Sequence, residues 1–141
     1  MFVSQPKLEP VPQLGLWRSL ALVVIYVNSL KGDRLHIPYP FYSDLASVPN
    51  WAWPFLVCTP NHLSVAGYVH DYLCRTDAKL ITHDGYEESI TFDRSLMIMN
   101  SVMVWSRVSE IDRWKVISAL KHKPEDYWHL KPVSWRPAGL N

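Results

Sequence analysis

Two adjacent His-Asp pairs, His70-Asp71 and His83-Asp84, are the residue types in this chain best suited to chemistry near neutral pH. Chance gives roughly 0.3 such pairs in a chain of this composition, so the dipeptide alone decides little and its surroundings matter more. His83-Asp84 runs into Gly85 inside a polar stretch and reads as a solvated turn. His70-Asp71 instead falls in an apolar segment, Asn61 to Arg75, in which Leu63, Gly67, His70 and Cys74 share one helical stripe. That spacing turns the imidazole inward and sends Asp71 about 100° away around the helix. Asp93 lies near the start of the next helical stretch and would come alongside His70 if the two helices run antiparallel. A carboxylate there would fix the imidazole tautomer and leave the other ring nitrogen to act as a base on water. Asp44, between Ser43 and Ser47 in a loop bounded by aromatics and Pro49, is placed to help backbone carbonyls hold a hard cation. Each residue also has a plainer use: a core His satisfied by one hydrogen bond, an acid at a helix N-terminus, or local backbone capping by Ser-Asp.

The elements that would position these groups follow from periodicity. Leu16 to Asn28 is apolar and β-branched and predicts a strand, Asn28 to Asp33 carries turn residues, and Arg34 to Tyr42 returns as a second strand. Pro38 and Pro40 keep that return short and at an edge. Asn50 to Pro60 holds Trp51, Trp53 and Phe55 among prolines and predicts an irregular apolar wall. Thr59 followed by Pro60 predicts an N-cap with Pro at the first position of a helix over 61–75. Thr76 to Gly85 reads as a polar connection. A second helix is predicted from about Glu87 to Trp105, with Phe92, Leu96, Met99 and Met103 on one face. Ser109 and Asp112 form an acidic variant of the capping box for a third helix, Glu110 to Lys121, in which Ile111, Trp114, Ile117 and Leu120 keep helical period. The expected fold class is α+β, an N-terminal β-hairpin and an irregular Pro/Trp-rich loop followed by three helices. The expected organisation is an extended N-terminal arm over 1–15, one globular domain over 16–124, and a Pro/Trp-containing tail over 125–141.

Composition narrows the classes of function. Fourteen Lys+Arg against 13 Asp+Glu give a net charge of +1, with no block of like charges, so nothing supplies the basic face that nucleic acid demands. The longest apolar run, Leu20 to Val27, is far shorter than the roughly 20 residues of a membrane helix, and no transmembrane segment is expected. Met1 to Pro12 lacks the basic and apolar regions of a Sec signal, which points to a cytoplasmic location. Cys58 and Cys74 flank a helical segment that holds them some 20 Å apart, beyond the roughly 7 Å reach of a disulfide. Two free thiols suit a reducing compartment. Among five glycines there is no P-loop or dinucleotide fingerprint, and no G-x-S-x-G elbow surrounds Ser47. Structural zinc would need more Cys and His at tight spacing. His62, His70, Asp71 and Asp93 match the residue types of an HD-type phosphohydrolase, but the hairpin does not suit that all-helical architecture.

Phe41-Tyr-Ser-Asp-Leu-Ala-Ser-Val-Pro49, then Ala66-Gly-Tyr-Val-His-Asp-Tyr-Leu-Cys-Arg75, then Asp93 in a Met-rich stretch resemble the phage- and prophage-associated family called domain of unknown function 1353. The resemblance runs from about Leu20 to Leu120. Members usually carry Thr where Ser43 stands and an aromatic where Cys74 stands, and neither departure touches Asp44, Ser47, His70 or Asp71. The resemblance implies a viral or prophage gene, located in the host cytoplasm or incorporated into the virion, and carries no activity with it. A more distant likeness of arrangement is to small prokaryotic phospholipase A2, which implies His70 as general base, Asp71 as calcium ligand together with Asp44, and Asp93 as the group that orients the imidazole. This chain has neither the Gly-rich calcium loop nor the paired cysteines of that family.

Two readings therefore stand open. In one, the protein is a noncatalytic virion-associated or host-directed factor whose Asp44, Ser47, His70 and Asp71 form a buried polar network, with other phage proteins or a host protein as partner. Seven tryptophans and two proline-rich arms suit such docking. In the other, it is a calcium-dependent hydrolase with His70 and Asp93 at its centre.

Overall fold

The structure is a computed structural model that describes residues 8–11, 16–19, 22–28, 32–43 and 60–138. In chain order its elements are β1 (Leu8–Val11), β2 (Leu16–Ser19), β3 (Val23–Asn28), β4 (Asp33–Ile37), β5 (Tyr42–Ser43), α1 (Pro60–Leu73), β6 (Lys79–Ile81), β7 (Glu87–Ser89), α2 (Phe92–Trp105) and α3 (Glu110–Leu120), followed by a 3-10 turn at Pro124–Asp126. The strands form two antiparallel sheets, β1-β2-β5 and β3-β4-β6-β7.

The β3-β4 pair aligns Val23 with Ile37 and Ile25 with Leu35, and all four side chains are buried. The alternate residues, Val24, Tyr26, Arg34 and His36, take the other face, the period of two expected of a sheet with one face in the core. Helix α1 fills that core. From Ala66 to Leu73 every residue except Asp71 is buried, so this helix is apolar nearly all round and is enclosed rather than laid on a surface. Leu96, Met99, Val102 and Met103 of α2 pack in the same cluster, together with Val116, Ala119 and Leu120 of α3.

The expected order of a hairpin and then three helices is corrected: strands stand before and between the helices. Residues 8–11, expected in a separate arm, form β1 and pair with β2. Pro10 is tolerated there because β1 is an edge strand whose ladder can lack one donor. The polar connection and the first turn of the expected second helix are instead the β6-β7 hairpin. Leu80 is the buried residue of β6 and every residue of β7 is exposed, too little apolar alternation to register as a hairpin in the sequence. Gly85, at φ +87°, closes the reversal, with Thr82 N–H donating to Tyr86 O at 2.8 Å. Thr91 then caps α2, its hydroxyl accepting from Arg94 N–H at 3.1 Å.

Helix α3 begins as expected, the Ser109 hydroxyl accepting from Asp112 N–H at 3.3 Å. Its buried face differs from the expected stripe. Asp112, Val116, Ala119 and Leu120 point inward, whereas Ile111 is 55% and Trp114 65% exposed. Two stripes of helical spacing overlap in this segment, and burial of Val108 just before the helix accompanies the second of them. No described helix is long and apolar enough to cross a membrane.

This orientation predicts opposite outcomes for two truncations in urea unfolding. Leu35→Ala, in the buried sheet face, should cost about 2–5 kcal/mol. Trp114→Ala should stay within about 0.5 kcal/mol. Equal losses would mean that α3 turns Trp114 into the core rather than toward solvent.

Candidate functional site

The C-terminal end of α1 is where charged and titratable side chains converge on the core. Cys74 N–H donates to His70 O at 3.0 Å and Arg75 N–H to Tyr72 O, which closes the last turn and holds residues 70, 71, 74 and 75 on fixed headings. Arg75 follows Asp71 by four residues and lies two residues past the end of α1. Both reach the same three-residue segment. The Ser43 hydroxyl donates to Asp71 Oδ2 at 2.5 Å, the short distance of a charge-assisted bond. Arg75 Nη2 donates to Tyr42 O at 3.1 Å, and its guanidinium lies 5.0 Å from the centre of the Phe41 ring. Phe41 is also met edge-on by Tyr68 and Tyr72, at 5.5 and 5.8 Å between ring centres. Phe41 and Ser43 are thus held by α1, and Tyr42 by Arg75 just past its end.

The chain after α3 returns over this end of α1. His129 N–H donates to Cys74 O at 2.8 Å, Thr76 N–H to Lys131 O at 2.9 Å, and Val133 N–H to Asp77 Oδ1 at 2.7 Å. His129 adopts a left-handed φ of 57° in making its bond, a conformation uncommon outside glycine. Trp135 also meets the Arg75 guanidinium, at 5.5 Å from its ring centre, with the Lys131 ammonium 4.0 Å from the same ring, and Arg136 lies over Tyr42. Arg75, buried at 8% exposure, is thereby a cation near two aromatic rings.

His70 points inward, as its stripe predicts, and is only 2% exposed. Its ring is tilted against Tyr127 at 5.5 Å between centres, and Cys74 Sγ lies 3.7 and 3.6 Å from Nδ1 and Nε2. The near-equal distances select neither tautomer. Burial lowers the imidazole pKa to about 4, so the ring is neutral at pH 7. Burial also pushes the Cys74 thiol up, with the Asp71 charge adding to the effect, and leaves it a protonated packing group rather than a nucleophile. The Tyr127 hydroxyl, raised chiefly by burial, donates to Leu120 O.

Of the residues singled out from the sequence, His70 and Asp71 occupy this end of α1, but they face different neighbours. Asp93 is exposed in the first turn of α2, where an acid complements the helix dipole, and no hydrogen bond joins it to His70. Asp44 and Ser47 lie outside the described residues. His83-Asp84 is exposed in the β6-β7 turn, with His83 Nε2 3.1 Å from Asp84 Oδ1. Sequence pattern marks Trp135 only as part of a Pro/Trp-containing tail that either packs back on the domain or docks a partner, and it does not assign a role to Arg75 or Tyr127. The Asp71-Arg75 spacing of four is the available signal for Arg75, whereas Tyr127 and Trp135 depend on a chain return that local pattern does not encode.

A hard cation such as calcium takes six to eight oxygen ligands. Among the described residues no group of three or more His, Cys, Asp or Glu side chains could hold a metal ion, and Asp71 already accepts from Ser43. No curated protein and no solved structure matches the chain. A family model described as a protein of unknown function (DUF1353) matches residues 19–119, which takes in the four-stranded sheet, β5, α1 with its Asp71-Arg75 turn, α2 and nearly all of α3. That span is well over half of the sequence, and the chain belongs to the DUF1353 family.

Proposed function

We propose that this chain is a noncatalytic phage- or prophage-encoded protein, virion-associated or host-directed, in which the His-Asp block of α1 is architectural. The observation that supports this most is the burial of His70: at 2% exposure it meets Tyr127 and Cys74 instead of solvent or a carboxylate. A general base must reach the proton it removes, directly or through one water, and an enclosed imidazole with a pKa near 4 is poorly matched to that task at pH 7. Asp71 and Arg75 are turned to the 41–43 segment. In this reading function falls to the surface, where Tyr86, Met97 and Trp114 are more than half exposed and offer apolar and aromatic contact.

Calorimetric titration with calcium, beside melting curves of the unaltered chain and of Asp71→Asn and His70→Ala, tests the proposal. The expected result is no calcium heat and a lower melting temperature in both variants. Calcium binding that disappears in Asp71→Asn without loss of stability would instead establish a metal-dependent hydrolytic site. Ser43→Ala should cost about 1–3 kcal/mol, since it leaves a half-buried carboxylate short of one charge-assisted donor.

His70 also gives stability a pH dependence of defined sign. Its pKa is lower folded than unfolded, so the unfolded chain binds the extra proton between the ordinary value of 6.5 and about 4. Stability is fully present above that window and falls as the pH drops through it, by on the order of 3 kcal/mol in all. In urea unfolding at stepped pH, His70→Gln should flatten this acid limb. An unchanged limb in the variant would assign the acid sensitivity to other groups.

A further inference from the structure

Every guanidinium or ammonium group that lies over an aromatic ring, among the described residues, belongs to one cluster beside the end of α1. Arg75 is 5.0 Å from the centre of the Phe41 ring and 5.5 Å from that of Trp135, Lys131 is 4.0 Å from Trp135, and Arg136 is 5.5 Å from Tyr42. Arg75 is buried and donates to the Tyr42 carbonyl. Lys131 and Arg136 are exposed, and among the described residues neither forms an ion pair. The carboxylates of this region have partners of their own: Glu9 pairs with Arg18, the cross-strand neighbour of Tyr42, Asp71 accepts from the Ser43 hydroxyl, and Asp77 Oδ1 accepts from Val133 N–H at 2.7 Å.

A carboxylate partner cancels the charge of a cation, whereas an aromatic face orients the cation and leaves its charge and its N–H donors available. At Arg136 the available donors are defined. Its Nη1 donates to Ser134 O and Trp135 O, both at 3.1 Å, which leaves Nε and Nη2, the forked edge that fits a carboxylate in two parallel bonds. The backbone that carries both cations is anchored as well. Thr76 N–H donates to Lys131 O, Val133 N–H is held by Asp77, and Trp135 N–H closes a turn on Pro132 O at 3.1 Å. Cations already placed on a fixed backbone lose little freedom when an anion arrives. Two of them match the side chains of a short acidic segment. A nucleic acid is held through a longer run of phosphate contacts, and a net charge of +1 supplies no such run.

We propose that Lys131 and Arg136, held against Trp135 and Tyr42, form a docking site for an acidic peptide segment of a partner protein. This deepens the reading of the chain as a docking protein and rests on it. Failure of that reading shows in the calcium titration, and failure of this site shows in a peptide titration.

Calorimetric titration of the full chain with hexaglutamate at low salt should give binding that weakens as salt is raised. Lys131→Gln and Arg136→Gln should each weaken it by about two- to fivefold, the range of exposed charge pairs, with unchanged melting temperatures. Arg107→Gln, which removes an exposed cation between α2 and α3, should leave it intact. Trp135→Leu removes no charge and should still weaken binding, because Lys131 loses the ring that orients it. Absence of hexaglutamate binding overturns the proposal. So does an equal loss in Arg107→Gln, which would mean attraction to the overall charge, or a single-stranded oligonucleotide that binds more tightly through the same two residues.

Discussion

The attachment of one small sheet to the helical core depends on two charged side chains one turn apart. β5 is two residues long and pairs with β2 at only Trp17-Ser43 and Arg18-Tyr42, too short a ladder to fix its own position. Asp71 and Arg75 supply what the ladder lacks: one accepts from the Ser43 side chain, the other donates to the Tyr42 carbonyl. Phe41, just before them, is held from the aromatic side by Tyr68, Tyr72 and the guanidinium. The β1-β2-β5 sheet is thereby tied to the element that fills the centre of the other sheet.

Burying an arginine beside apolar rings is costly unless its donors and its charge find compensation. At Arg75 the Tyr42 carbonyl accepts one guanidinium N–H and the Phe41 and Trp135 rings lie 5.0 and 5.5 Å from the cation, contacts that the planar guanidinium suits in a way a lysine would not. His70 meets the same constraint differently, by remaining neutral. Two adjacent residues of α1 thus separate by chemistry: Asp71, half-buried, keeps a charge to hold β5, while His70, enclosed, serves as an aromatic surface for Tyr127.

Much of this is legible in the sequence wherever one period dominates. The inward heading of His70, the Ser109 cap and the start of α3 follow from local pattern, whereas the expected strands Leu16 to Asn28 and Arg34 to Tyr42 are each divided between the two sheets, as β2 and β3 and as β4 and β5, and only the β3-β4 part of the hairpin pairs as expected. The β6-β7 hairpin escapes such a reading because each strand is three residues long and β7 is exposed throughout, too short to show a period. On α3 two overlapping stripes are available, and packing selects the one containing Val116, Ala119 and Leu120. Asp93 illustrates a different limit. Its position in the first turn of α2 is close to expectation, but a shared helical level does not bring two side chains together. His70 instead meets Tyr127, whose approach depends on the chain reversing after Leu120.

That reversal makes the tail part of the architecture of the α1 end. Its backbone bonds to the Cys74 carbonyl, the Thr76 amide and the Asp77 side chain fall within four residues just past the helix terminus, where backbone groups otherwise lack helical partners. Its side chains then close over the buried groups, Tyr127 on His70 and Trp135 on Arg75. The family match ends at residue 119, before any of these tail residues, yet the groups they cover lie inside it. An inward histidine and a stacked arginine at the end of α1 leave polar and cationic groups that must be enclosed or hydrated. In this chain a Trp- and Tyr-bearing extension encloses them, which accounts physically for aromatic residues in a segment that otherwise contributes little to the core.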